Sequence, residues 1–284
     1  MTALTTGQPT LRRAVAVVSG QPTSDGAGVR LTRVIGQPRL PDLDPFLMLD
    51  EFRSDDARDY IAGFPDHPHR GFETVTYRLA GRMRHEDNKG HTGLLRPGSV
   101  QWMTAGRGIV HSELPEQEDG LMWGFQLWVN LPAKDKMTEP RYQEIAPEEI
   151  PEVSSSDGGR VRVIAGRFGG VAGPIAGIAT DPTYLDVSLP AGGRFAHALP
   201  EPHNAFIYVF EGAARIGAEA VGRGKIAVLS RGERLEVEAS GGPARFILVA
   251  GKPLEEPVVK YGPFVMNTPE EIHQAIADFQ AGRF

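Results

Sequence analysis

Two short stretches carry residues able to do metal chemistry. In "HPHRGFETVTYRLAGR", residues 67–82, His67 and His69 stand two apart at the start of an alternating run. Residues two apart on a strand project from the same face, so both imidazoles point one way at a separation suited to a single ion. Further along, "GRGIVHSELPE" repeats that spacing with His111 and Glu113. If the two segments are neighbouring strands, three imidazoles and one carboxylate converge. Such a set leaves open positions on an octahedral metal, which suits catalysis better than a closed structural site. A lone His-x-His is as readily two polar residues at the mouth of a strand. Two pairs with one spacing are harder to explain that way.

The rest of the chain limits what could hold this cluster. At 284 residues, 40% hydrophobic, it has material for about two domains, each with its own core. The net charge of -6 is spread without a basic block, which gives nucleic acid or an anionic membrane no electrostatic footing. No cysteine is present, so any metal must be held by His, Asp, Glu or backbone oxygen. The apolar run after Arg12 and Arg13 is too short and broken for a signal or spanning segment, and a soluble, cytoplasmic protein is expected.

Thirty-four glycines and twenty-three prolines cut the sequence into short runs such as "TVTYRLAG", "FQLWVNL", "TYLDVSL", "AFIYVFEG" and "RFILVAG", which alternate like strands. An all-β sandwich or barrel follows. The best helical stretch is the last. There Thr268 can cap, Pro269 takes the first helical position, and Ile272, Ala275, Ile276 and Phe279 make one apolar stripe.

The runs also repeat. "TVTYRLAGRMR" overlays "AFIYVFEGAAR", matching Tyr77 to Tyr208 and Gly81 to Gly212, and "PGSVQWMTAGRG" resembles "GRGKIAVLSRGER". Two copies of one β unit are expected, residues 1–135 and 136–284, with "PRYQEI" opening the second. On that overlay His67 and His69 fall on Ala198 and Pro200, and apolar residues meet His111 and Glu113. One copy is built to bind metal and the other to support it.

"HPHRGFETVTY", "HEDNKGHTG", "RPGSVQWMTAGRGIVHSE" and "GFQLWVNLP" resemble the pirin family of the cupin superfamily, from about residue 12 to the C-terminal helix. The resemblance implies a bicupin: two β-sandwich jelly-roll barrels face to face, the N-terminal one metal-binding and the C-terminal one degenerate, with a short C-terminal helix. It implies His67, His69, His111 and Glu113 as ligands, most often of Fe(II), with Mn, Co, Ni, Cu or Zn as alternatives. Ordinary cupins take their carboxylate from the position of Glu73; in the pirin-like arrangement Glu113 supplies it and Glu73 makes supporting hydrogen bonds. The implied activity is that of a quercetin 2,3-dioxygenase, opening a flavonol ring with dioxygen and releasing carbon monoxide. Glu113 is then the candidate base, being the only anionic group of the set. The alternative is an iron-containing regulatory pirin that binds a protein partner without turnover. No recruiting charge patch or nuclear-targeting run supports that version, and rich use of Ala, Gly and Arg suggests a bacterial source.

Around the cluster, Phe64, Gln126 and Trp128 are candidates to line a substrate pocket, Gln126 only if its face of "MWGFQLWVN" points inward; Trp102 and Met103 also line or cap the barrel. His85 and His91 flank the turn sequence "EDNKG" and are expected in solvent. His197 and His203 lack a partner pair and are expected at the surface. Arg70 is expected on the outer face in a salt bridge.

Overall fold

The computed structural model describes residues 9–155 and 157–284. Among them strands dominate, and the one α-helix is Pro269–Gln280. The chain divides into two compact units that interleave along the sequence. The first takes Gly20–Ile150, Pro174–Asp181 and Leu254–Phe284. The second takes the segment ending at Ser19 with Pro151–Gly173 and Pro182–Pro253. Position 135 therefore lies inside the longest stretch of the first unit.

In the first unit a seven-stranded antiparallel sheet runs Arg141–Ile145, Val100–Thr104, Phe72–Ala80, Met122–Asn130, Phe46–Ser54, Val29–Ile35, Gln21–Asp25. Its partner is a four-stranded sheet, Phe64–His69, Ile109–Pro115, Met83–Asp87, Thr92–Leu95. The sheets face each other where Thr76 of the large one meets Glu113 of the small one. Phe72 through Arg78 are all buried, so this central strand is covered on both faces. The "PRYQEI" segment, expected to open the second copy, instead pairs with Val100–Thr104 and closes the edge of this sheet.

The second unit repeats the layout. Its large sheet runs Ala14–Ser19, Lys225–Leu229, Asn204–Glu211, Ala244–Gly251, Thr183–Leu189, Arg160–Ala165, Glu152–Ser154, and its small one Arg194–Ala198, Arg234–Ala239, Ala213–Ile216, Glu219–Gly222. Strand for strand it matches the first, with the N-terminal Ala14–Ser19 at the edge that Arg141–Ile145 occupies there. The overlaid glycines serve the same turn. Gly81 and Gly212 both have positive φ, and a Cβ at Gly212 would stand 2.0 Å from the Pro243 carbonyl oxygen. Val163, Leu185, Ile207, Phe246 and Leu248 are among the residues of an apolar core.

The helix begins as its sequence requires. The Thr268 hydroxyl accepts from the Glu271 amide at 3.2 Å, and the Glu271 carboxylate accepts from the Thr268 amide at 3.0 Å. Ile272 and Ala275 are buried with Phe264, Met266 and Phe284, while Phe279 stays half out of the cluster. This C-terminal segment is tied to the barrel at two buried points. Lys136 donates through Nζ to the carbonyl oxygens of Gly71 and Val265 and to Asn130 Oδ1, at 2.7, 3.0 and 2.7 Å. Arg70 meets Asp278 at 2.8 Å. Arg70 does form the expected salt bridge, but with its side chain only 4% exposed beneath the helix rather than in solvent.

Candidate metal centre

Strand Phe64–His69 lies antiparallel to Ile109–Pro115, with His67 directly opposite His111 and His69 opposite Ile109. Three imidazoles therefore meet. Their ring centroids are 4.4 Å apart for His67 and His111, 4.7 Å for His67 and His69, and 5.0 Å for His69 and His111. One ligand atom from each ring can be chosen so that all lie within 4.8 Å of one another, the spacing a single cation needs.

The electrostatics agree with that use. Burial holds His69 and His111 well below the ordinary histidine range, and the neighbouring imidazoles push the same way, so both rings are neutral with a lone pair to offer. His69 Nδ1 and both ring nitrogens of His111 have no hydrogen-bond partner although buried. An orphaned buried polar atom costs roughly 1–3 kcal/mol, so these nitrogens are hard to explain as core groups. One nitrogen from each ring fits a divalent cation. His67 is half-buried, and its Nδ1 lies 2.8 Å from the Pro65 carbonyl oxygen. That contact turns Nε2 away from Pro65.

Glu113 is close by but held differently. The Thr76 hydroxyl lies 3.2 Å from Glu113 Oε1 and 2.6 Å from the Gln126 amide oxygen. A hydroxyl has one proton and cannot donate to both. Turning the Gln126 amide resolves the conflict: its N–H donates to Thr76, and Thr76 donates to Glu113. Glu113 is 4% exposed and lies beside the imidazoles rather than within their tight group.

His67, His69, Thr76, Glu113 and Gln126 line one cavity of about 640 Å³, whose walls include Leu31, Met48, Phe52, Phe64, Met83 and Trp128. Phe64, Gln126 and Trp128 are among its lining residues. Trp128 also packs edge-on against His69, with 5.3 Å between centroids.

The models of the pirin family and of the pirin C-terminal cupin domain match residues 28–129 and 184–284. The chain belongs to the pirin family. It is 55% identical to a pirin-like protein of Caulobacter vibrioides over 96% of this chain and 99% of that one. It is 49% identical to human pirin over 90% of this chain and 88% of that one. A quercetin 2,3-dioxygenase from Acinetobacter baumannii has a similar crystal structure, with a TM-score of 0.89 and 34% identity over 96% of this chain and 98% of that chain. Two cupin domains and, among the described residues, one short α-helix near the C-terminal end make up this pirin.

Other pirin residues stand apart from the cluster or depart from expectation. Glu73 faces away from the imidazoles and accepts from the Thr104 hydroxyl at 2.6 Å, burial raising its carboxyl above the usual range. Trp102 and Met103 are buried. His85, expected in solvent, is fully buried, its Nε2 2.6 Å from Glu144 Oε1 without aligned hydrogen-bond geometry. Gly93 permits that approach, since a Cβ there would stand 2.0 Å from His85 Nε2. Only His91 behaves as a turn residue, exposed and 3.0 Å from Asp87. His203 is buried rather than at the surface, and its carbonyl accepts from Arg12 at 2.8 Å. Thr76 and Asp50 were missed in the sequence because a threonine and an aspartate in alternating runs carry no signal of the face they occupy.

Among the described residues no helix is long and apolar enough to cross a membrane.

Proposed function

We propose that this pirin is a metal-dependent dioxygenase of the quercetin 2,3-dioxygenase type, with His67, His69, His111 and Glu113 as ligands of one divalent ion, Fe(II) by preference. The observation that carries the reading is the set of three converging imidazoles, two of them with buried ring nitrogens lacking a hydrogen-bond partner, beside a carboxylate at a cavity with mostly apolar walls. The likeness to a solved quercetin 2,3-dioxygenase supports it. Mn, Co, Ni, Cu and Zn suit the same nitrogen and oxygen donors. Bound there, the ion supplies Lewis acidity and, as Fe(II), the electron-transfer chemistry that lets dioxygen combine with a closed-shell organic molecule.

The chain's own groups supply the rest. Glu113 accepts the proton of the flavonol 3-hydroxyl, and Thr76 and Gln126 steady its carboxylate for that task. Trp128 and Phe64 flank the flat ligand and keep water from the reacting carbons. In the overall reaction the two ring bonds to the hydroxylated carbon break and that carbon leaves as carbon monoxide. Both dioxygen atoms enter the ester product, and the proton held by Glu113 ends on its new carboxylate.

The test loads the protein with iron under argon, adds quercetin and air, and follows flavonol absorbance together with carbon monoxide. One carbon monoxide per flavonol consumed, lost in Glu113→Ala, is the expected result. Metal-replete protein with no turnover across a flavonol panel would overturn the dioxygenase and leave a partner-binding, regulatory role.

A further inference from the structure

Five residues far apart in sequence stand in register across adjacent strands of the large sheet of the first unit. Arg33 is opposite Asp50, Asp50 opposite Gln126, Gln126 opposite Thr76 and Thr76 opposite Gln101. Directly paired residues share a face, and the first four line the cavity that holds His67 and His69. At roughly 4.8 Å per strand, the row runs ~14 Å from Thr76, beside Glu113, to Arg33. The corresponding row of the second unit is Val163, Leu185, Leu248, Ile207 and Ala227, all core residues. The fold therefore does not require polar groups there.

The far end of the row is built as a binding site. Arg33 Nε and Nη2 grip the Asp50 carboxylate at 3.0 and 2.8 Å, and Nη2 also reaches Asp25 at 2.8 Å, which leaves Nη1 without a partner among the described residues. Asp50 is 2% exposed, so its carboxylate is fixed. Two carboxylates face one guanidinium. The surplus negative charge disfavours an anionic ligand and favours hydroxyls, which donate to Asp25 or Asp50 and accept from Nη1. Vicinal phenolic hydroxyls can do both at once. Leu31, Met48, Phe52 and Phe64 on the same cavity wall suit the aromatic ring that bears them.

We infer that Arg33, Asp50 and Asp25 form a distal subsite that recognises a vicinal diphenol on the ring of the ligand remote from the histidines. This rests on the reading that a flavonol chelates at the histidine end, and it adds which flavonols the cavity selects.

Binding is measured without turnover, by absorbance titration of metal-loaded protein under argon with quercetin, whose pendant ring has two vicinal hydroxyls, and galangin, whose pendant ring has none. Wild type should bind quercetin at least about tenfold more tightly, as hydrogen bonds to charged groups warrant. Arg33→Met should erase that preference at unchanged metal content. Because Arg33→Met strands the buried Asp50 carboxylate, Arg33→Lys decides if the first variant does not fold: it keeps the charge but lacks the planar fork, and should lose most of the preference. Equal affinity of wild type for both flavonols, or a preference that survives in a folded variant, overturns the subsite. Preferential binding with no turnover in air would instead overturn the dioxygenase and leave the subsite standing.

Discussion

The two barrels share a strand order and differ in what they bury. Where His67 faces His111 in the first, His197 faces Leu235 in the second; two residues on, where His69 faces Ile109, the Leu199 amide donates to the Glu233 carbonyl. The row Arg33, Asp50, Gln126, Thr76, Gln101 becomes Val163, Leu185, Leu248, Ile207, Ala227. The second barrel shows what this fold does when packing alone decides. The first keeps unpartnered imidazole nitrogens in its interior at a cost of about 1–3 kcal/mol each, part of which a cation held by one nitrogen of each ring would offset.

That contrast breaks most sharply at a position where the two barrels swap chemistry for packing. His111→Leu should take metal content from one equivalent per chain to nearly none, read by elemental analysis of purified protein. It should not lower the unfolding free energy of the metal-free protein, since it removes two orphaned nitrogens and adds apolar contact. At Leu235, of the facing strand in the second barrel, Leu235→Ala should do the reverse: metal unchanged, stability down by about 2–5 kcal/mol in denaturant titration. If His111→Leu instead destabilised the metal-free protein by several kcal/mol, the imidazole would be a packing residue after all.

The second barrel can also be pushed toward the first. Leu199→His with Leu235→His would place two imidazoles around His197, which sits half-buried against Phe195 and Phe168 with its own basicity lowered by burial. The double variant should take up a second equivalent of Zn(II) or Ni(II), more weakly than the native site because no glutamate stands at the matching place. A stoichiometry still at one would show that strand register is not sufficient to make this centre.

A smaller effect is expected at Lys136, whose ammonium satisfies three acceptors, two of them backbone carbonyls at Gly71 and Val265. Lys136→Met leaves those carbonyls unpaired and should cost about 2–4 kcal/mol, with faster proteolysis of the C-terminal segment at an unchanged metal equivalent.

Much of this difference was legible in the sequence, and what was not has a physical reason. Alternation gave the strands, and two His-containing pairs of equal spacing gave the imidazole cluster, because strand parity fixes which side chains point together. Overlaying the halves at a constant offset went astray at one place. Between the histidine strand and the next there are two residues in the first barrel, Arg70 and Gly71, but five in the second, 199–203. The overlay set Ala198 and Pro200 against His67 and His69, one residue beyond His197 and Leu199, which the facing strands set there. His85 looked like a turn residue because "EDNKG" follows it, yet it pairs with Glu113 two strands into the small sheet. The polar row could not be seen at all, since its members at 33, 50, 76, 101 and 126 become neighbours only through sheet register.

The finest of the contrasts lies in a single hydroxyl. Thr76 stands where the second barrel has Ile207, and its hydroxyl links Gln126 to Glu113. Thr76→Val keeps the shape and removes that link. A carboxylate freed of its hydrogen bond explores more rotamers before it can serve as ligand or base, so metal affinity should fall by about tenfold, the lower end for such a supporting contact. The fold should be little affected, because the strand keeps its backbone pairing. Ile207→Thr is the converse: it buries a hydroxyl among apolar side chains, should cost about 1–3 kcal/mol in denaturant titration, and should leave metal binding untouched. Competition with a chromophoric chelator measures the first. An affinity unmoved by Thr76→Val would mean that Glu113 is positioned by its own strand alone, and that the threonine serves the cavity wall rather than the carboxylate.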